Sequence, residues 1–147
     1  MGNKRAESDE YYVLDLCDEI LGQKAQRQHR FDWLRGDVSP KTKRSVRLPV
    51  DGFWPELSLV IEYRERQHNQ PVPFFDKPDE VTISGVSRGE QRRLYDARRD
   101  LLIPRHQISL LIITPAPLAH TRQGRLLRKP AHDRPAIRKL LQQAVDC

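Results

Sequence analysis

Acidic side chains at the end of an apolar run invite chemistry that burial does not explain, and the stretch LPVDGFWPELSLVIEYRERQH, residues 48–68, carries them. Leu57-Ser58-Leu59-Val60-Ile61 is short, apolar and partly β-branched, with Gly52 and Pro55 upstream, which favours a strand over a helix. Glu62 closes that run. Residues 48–54 are also strand-like, and Pro55-Glu56-Leu57-Ser58 is short enough to join the two as an antiparallel hairpin. With the turn centred between Glu56 and Leu57, Asp51 stands opposite Glu62, and cross-strand partners lie about 5 Å apart at Cβ. Two carboxylates that close repel; the relief is a shared proton or a divalent cation drawing oxygen from both. Strand alternation sets Arg64 on the face of Glu62 and sends Ile61 and Tyr63 to the other. A guanidinium grips phosphate bidentately but keeps its proton near neutral pH, so Arg64 suits anion binding and not general-base chemistry. His68, whose type titrates near neutrality, suits phosphate contact, orientation of water or proton transfer.

An acid, ten residues, then Glu-x-Arg resembles the restriction-endonuclease-like nuclease superfamily, whose signature is an acidic residue on one strand and Glu or Asp, any residue, then Lys on the next. The fuller run VDGFWPELSLVIEYRERQH is most similar to compact members related to very-short-patch repair endonucleases. Those carry an acid, "pel", an apolar strand ending in Glu and a His soon after, here Asp51, Pro55-Glu56-Leu57, Glu62 and His68. Arg64 departs from the pattern, standing where the superfamily has Lys. The resemblance covers residues 45–114 and implies an α/β fold, a small mixed β-sheet flanked by helices in the order αβββαβ, with a C-terminal helix added here. It also implies Mg2+ or Mn2+ held by Asp51 and Glu62, with DNA as the substrate. On the same basis Glu19 of the first helix is a supplementary metal ligand, its plain alternative being a solvated glutamate. Asp96 and Arg99 in YDARRD help hold the site, with Gln91 on the flank of the same helix; the plain alternative for the Asp–Arg pair is a salt bridge. Glu65 joins His68 as a candidate for proton transfer.

Around that hairpin the chain supplies the elements that must hold it. Ser8 caps a helix running to about residue 26, with Tyr12, Val13, Leu16, Cys17, Ile20 and Leu21 at helical spacing. Residues 28–37 mix aromatic and basic side chains that either stack on bases or cover one end of the core. A polar loop with Lys41, Lys43 and Arg44 follows, and alternation resumes at residues 45–51, where a first strand and the start of a second are expected, with Pro49 at a bend or edge. Residues 69–86 hold three prolines and Phe74-Phe75 without periodicity, as an ordered loop covering the site would. Ser87 then caps the helix RGEQRRLYDARRDLL, for which Leu94, Ala97 and Leu101 mark the inward side. QISLLIIT, residues 107–114, reads as a further buried strand. After a basic, Pro-containing connection, a last helix docks through Ile137, Leu140, Leu141 and Ala144.

At 147 residues the chain suits one domain, residues 1–147. Its formal charge of +6 and sequence pI near 9.6 favour a polyanionic partner. Lys41, Lys43, Arg44, Arg66, Arg92 and Arg125 are the candidate DNA contacts, and a homodimer is open. Two cysteines, Cys17 and Cys147, make no disulfide framework. With no apolar run approaching about 20 residues and no secretory pattern, a cytoplasmic protein without membrane contact is expected. Two functions from different classes follow: a divalent-metal-dependent DNA endonuclease, or a catalytically silent nucleic-acid-binding domain of the same fold. A module recognising an acidic protein partner stands third.

Overall fold

The computed structural model describes residues 7–65 and 82–145. In chain order the elements are α1 (Asp9–Leu21), β1 (Gln26–Arg35), β2 (Arg47–Trp54), β3 (Leu59–Tyr63), α2 (Arg88–Arg105), β4 (Ser109–Ile113) and α3 (Pro130–Val145). The four strands form one mixed sheet in the order β1-β2-β3-β4. β3 runs antiparallel to β2 and parallel to β4. Parallel neighbours need a crossover, and α2 supplies it between β3 and β4.

The central hairpin takes the register expected of its turn: Gly52 pairs with Ile61, Phe53 with Val60 and Trp54 with Leu59. Pro55–Leu57 makes a single 3-10 turn and Ser58 adopts a left-handed conformation at φ 47°, its N–H closing on the Pro55 carbonyl at 3.1 Å. Gly52, beside Asp51, packs closely against a buried ring. A Cβ there would lie 3.1 Å from the Trp54 ring, which is fully buried and donates its indole N–H to the Gln23 carbonyl.

Apolar residues of three elements meet on one face of β3. Val13, Leu14, Leu16 and Cys17 of α1, Leu59, Ile61 and Tyr63 of β3, and Ile137 and Leu141 of α3 form a continuous buried cluster. The stripes expected of α1 and α3 are thus the ones that pack, with Tyr12, Ile20, Leu21 and Leu140 against the cluster edge. Ser8 caps α1 by accepting the Tyr11 N–H at 3.2 Å. Asp133, fully buried in the first turn of α3, is satisfied by the Tyr12 hydroxyl at 2.6 Å and by the N–H groups of Ala119 and Lys129. Burial first, then that carboxylate, raises the Tyr12 pKa above its ordinary value.

The described residues divide into two compact units, the first containing those of Met1–His29, Val50–Arg66 and Gln107–Cys147 and the second those of Arg30–Pro49 and Gln67–His106. The apolar cluster belongs to the first. In the second, α2 packs on the strand ends through polar bonds: Asp37 donates its N–H to the Tyr95 hydroxyl, Arg98 pairs with Asp37 at 2.7 Å, and Arg99 donates to the Pro49 carbonyl.

Five expectations change. α1 ends at Leu21 instead of about residue 26, because Gly22 takes the left-handed cap position and closes the helix onto the Asp18 carbonyl. The aromatic-basic stretch is a strand, β1, where no element was expected, and the burial of Phe31 and Leu34 fits the reading in which it covers part of the core. Residues 45–51 hold the start of one strand, β2, and not the junction of two, and Pro49 lies inside it. On α2, Leu94 and Leu101 are 41% and 51% exposed, whereas the Asp96 and Arg99 side chains are only 17% and 14% exposed. The helix turns its polar side inward because Tyr95, Arg98 and Arg99 find partners there. β4 lies at the sheet edge and is only partly buried up to Ile113. No helix among the described residues is long and apolar enough to cross a membrane.

Candidate active site

The register of the hairpin decides where the acids go. Trp54, Leu59 and Ile61 enter the apolar cluster; by alternation Asp51, Val60, Glu62 and Arg64 lie on the opposite face of the sheet. Beyond the Gly52–Ile61 pair the strands are joined by carboxylates. The Asp51 N–H donates to Glu62 Oε2 at 2.7 Å, and the Tyr63 N–H donates to Asp51 Oδ2 at 2.8 Å. Each acid therefore reaches across to the backbone of the other's strand, and the two converge. Arg64 stands beside them, its Nη2 3.7 Å from Glu62 Oε1.

Burial makes this cluster unusual. Glu62 is 4% and Arg64 8% exposed, and with Asp133 they are the buried charged side chains among the described residues. A buried ion costs several kcal/mol even after relaxation. Asp133 has its full set of donors and a clear role in holding α3. Glu62 and Arg64 lie together at the end of a strand beside a second acid, Asp51.

The donor set fits a hard divalent cation. Among the described residues no group of three or more His, Cys, Asp or Glu side chains is placed to hold a metal ion; the side chains here that would contribute are the Asp51 and Glu62 carboxylates. Magnesium is commonly held in that way, by one or two carboxylates with water and phosphate oxygen completing the octahedron.

Glu19 and Glu65 lie apart from this cluster. Glu19 is on the exposed side of α1, paired with Arg134 of α3 at 3.1 Å, across the sheet from Asp51 and Glu62. Glu65 lines a cleft of about 760 Å³ with Asp9, Thr121, Gly124, Arg125 and Arg128, to which none of Asp51, Glu62 and Arg64 contributes. Asp96 and Arg99 form an i,i+3 ion pair of 2.9 Å within α2, and Gln91 bonds the Ser84 and Tyr95 hydroxyls. Lys41, Lys43, Arg44, Arg92 and Arg125 are exposed. His68, Arg66 and most of the expected covering loop lie outside the described residues.

Three features escape the sequence. Asp37 is held below its ordinary carboxylate range by bonds from Ser84 and Arg98. The Tyr63 hydroxyl is buried without a hydrogen-bond partner among the described residues; burial, then the Asp9 and Glu65 charges, raise its pKa. Asp9, seemingly a helix-start acid, instead accepts the Leu126 N–H and pairs with Arg128. Only the turn signature Thr121-x-x-Gly124 hinted at the structure Asp9 anchors. The Cys17 thiol, pushed up to about 12 by burial, is inert packing. Comparison of the chain with family models, with curated proteins and with solved structures finds no match.

Proposed function

We propose that this chain is a divalent-metal-dependent endonuclease hydrolysing DNA phosphodiester bonds, built on the restriction-endonuclease-like core that its element order and hairpin motif resemble. The supporting observation is the convergence of Asp51 and Glu62 from paired strands with Arg64 beside Glu62. Asp51 and Glu62 would hold Mg2+ or Mn2+, which supplies Lewis-acid polarisation of the phosphoryl group and offsets its developing charge. Arg64 orients the scissile phosphate with its planar fork. Its proton stays on, so the base must be another group, and His68 is the residue the motif offers. Asp51 and Glu62 carry net negative charge and repel a phosphate backbone, which makes cation binding a condition of substrate binding at this spot.

The direct test is nicking of supercoiled plasmid with Mg2+ and with chelator. Wild-type protein should nick only with the metal, and Glu62→Gln should lose that activity by about a hundredfold or more, several kcal/mol of charge stabilisation being at stake. Nicking by Glu62→Gln at the full rate rules the assignment out.

One observation favours a silent DNA-binding domain of the same fold as the second reading. Both carboxylates already accept backbone N–H groups, and the position expected to carry an amine is a guanidinium. Such a domain binds DNA without magnesium, loses affinity steeply with salt and never nicks.

A further inference from the structure

Among the described residues the sheet ends in two edge strands, β1 and β4, and the chain treats them differently. An edge strand presents a row of unpaired N–H and C=O groups, which monomeric proteins blunt with charge, proline, a kink or brevity. β1 is blunted: Arg30, Asp32 and Arg35 stand exposed along it, and Gln28 interrupts its extended backbone at φ 53°. β4 carries none of these devices. Between Arg105 and Arg122 the sequence has no Asp, Glu, Lys or Arg, the longest such gap in the chain, and Ser109–Ile113 lies inside it. The strand holds no proline and no residue of positive φ, and its five residues are an ordinary strand length.

Backbone bonds fix which groups face outward. Ser109 donates its N–H to the Ser58 carbonyl, and the Ile113 carbonyl accepts the Arg64 N–H. In a parallel ladder alternate residues bond the same neighbour, so Ser109, Leu111 and Ile113 face β3 while Leu110 and Ile112 turn their N–H and C=O away from it. No described strand lies on that outer side. Burial follows the same division: β3 is buried throughout, whereas Leu110, Leu111 and Ile112 of β4 are half-buried.

We infer that the β4 edge pairs with the β4 edge of a second copy of this chain, joining two sheets across a two-fold axis. Charge selects that occupant. At +6 the chain repels its own copies, and two copies meet with least repulsion along an edge on which neither carries a charge. The geometry is self-complementary as well. A two-fold axis sets the strands antiparallel, the more stable pairing, and Leu110 opposite Ile112 of the other copy exchanges two N–H···O bonds that the axis repeats. A foreign strand would find the same backbone groups but no charge on β4 to select it. Two such edges bury less than the roughly 1,200 Å² of a standard interface, so the dimer is weak, with Kd of about 10–100 μM expected. Pairing of this kind needs neither metal nor DNA, so it stands or falls apart from the nuclease reading.

The test is sedimentation equilibrium of the full chain, in chelator, at concentrations up to roughly 500 μM, well above that Kd. Wild-type protein should show a monomer–dimer equilibrium that tightens as salt screens the net charge. Leu110→Pro removes an outward N–H without touching a bond to β3, and should weaken dimerisation about tenfold or more. Ser109→Lys places a cation on the exposed start of the strand and should weaken it several-fold at low salt, with salt restoring it. Amide exchange in the wild type needs no substitution: the Leu110 and Ile112 N–H groups should exchange several-fold more slowly at high concentration than at low, while that of Leu111, already bonded to β3, changes less. A chain monomeric at every concentration overturns the inference, as does a dimer in which Leu110 and Ile112 exchange at one rate throughout. A Leu110→Pro protein with the wild-type urea midpoint that still dimerises like wild type overturns it too; if that variant does not fold, the exchange rates decide.

Discussion

The two faces of β3 follow opposite rules on one backbone. Leu59, Ile61 and Tyr63 enter an apolar cluster with α1 and α3; Val60, Glu62 and Arg64 are just as buried, yet two of the three carry full charge. Hydrophobic burial accounts for the first face. On the second the chain tolerates desolvated ions and two acids that each accept a backbone N–H from the other's strand, where well-packed apolar residues are often as stable or more so. A local rule broken in a well-formed element marks a place where selection has favoured something other than stability.

Four substitutions or conditions break or sharpen that contrast, the largest effect first. Glu62→Gln should abolish metal-dependent nicking while changing the stability read from urea unfolding by no more than about 1 kcal/mol, because relief of repulsion with Asp51 offsets the weaker partner for Arg64. Metal-dependent nicking at the wild-type rate by this variant would instead make Glu62 a structural ion only. Ile61→Ala, one position away on the other face, should cost about 2–5 kcal/mol in urea unfolding and leave the nicking rate per folded molecule intact. Should it instead abolish nicking in fully folded protein, the two faces are not separable.

That much of the site was legible because a short turn dictates register: Pro55–Leu57 leaves little freedom in how residues 51–54 meet residues 59–62. The α1 and α3 stripes were legible for the same reason, periodicity that only one packing satisfies. β1 was not, since its strand carries Gln28 at φ 53° and polar residues among the aromatics, which blur the alternation. The inward side of α2 was hidden for a deeper reason. Leu94, Ala97 and Leu101 share a face whether it points in or out, and only the bonds of Tyr95, Arg98 and Arg99 to distant backbone decide it. Placing Glu19 and Glu65 near the pair failed likewise, because neither the helix face nor the strand face of an isolated acid says which side of a sheet it will serve.

A third change probes the join between the faces. Gly52→Ala pushes a methyl into the Trp54 ring next to Asp51 and should cost about 1–3 kcal/mol, with a shift in tryptophan fluorescence; an unshifted spectrum and unchanged midpoint would show that the ring does not need the glycine. The smallest effect is alkaline. Cys17 keeps its proton up to about 12 in the fold against 9.0 for the ordinary thiol, and the Tyr12 and Tyr63 values are also raised. Above about pH 9 the unfolded chain sheds protons that the native state retains, so stability falls as pH rises. Cys17→Ala should flatten the dependence of the urea midpoint on pH between about 9 and 10 relative to wild type; an equally steep fall in both would remove the thiol from the account.

The central claim is that Asp51 and Glu62 act on one cation. Manganese diffused into crystals of the protein gives an anomalous signal that locates it without reference to any activity. A single peak bridged by the two carboxylates is the result expected; ordered, empty density between them at saturating manganese would contradict the claim.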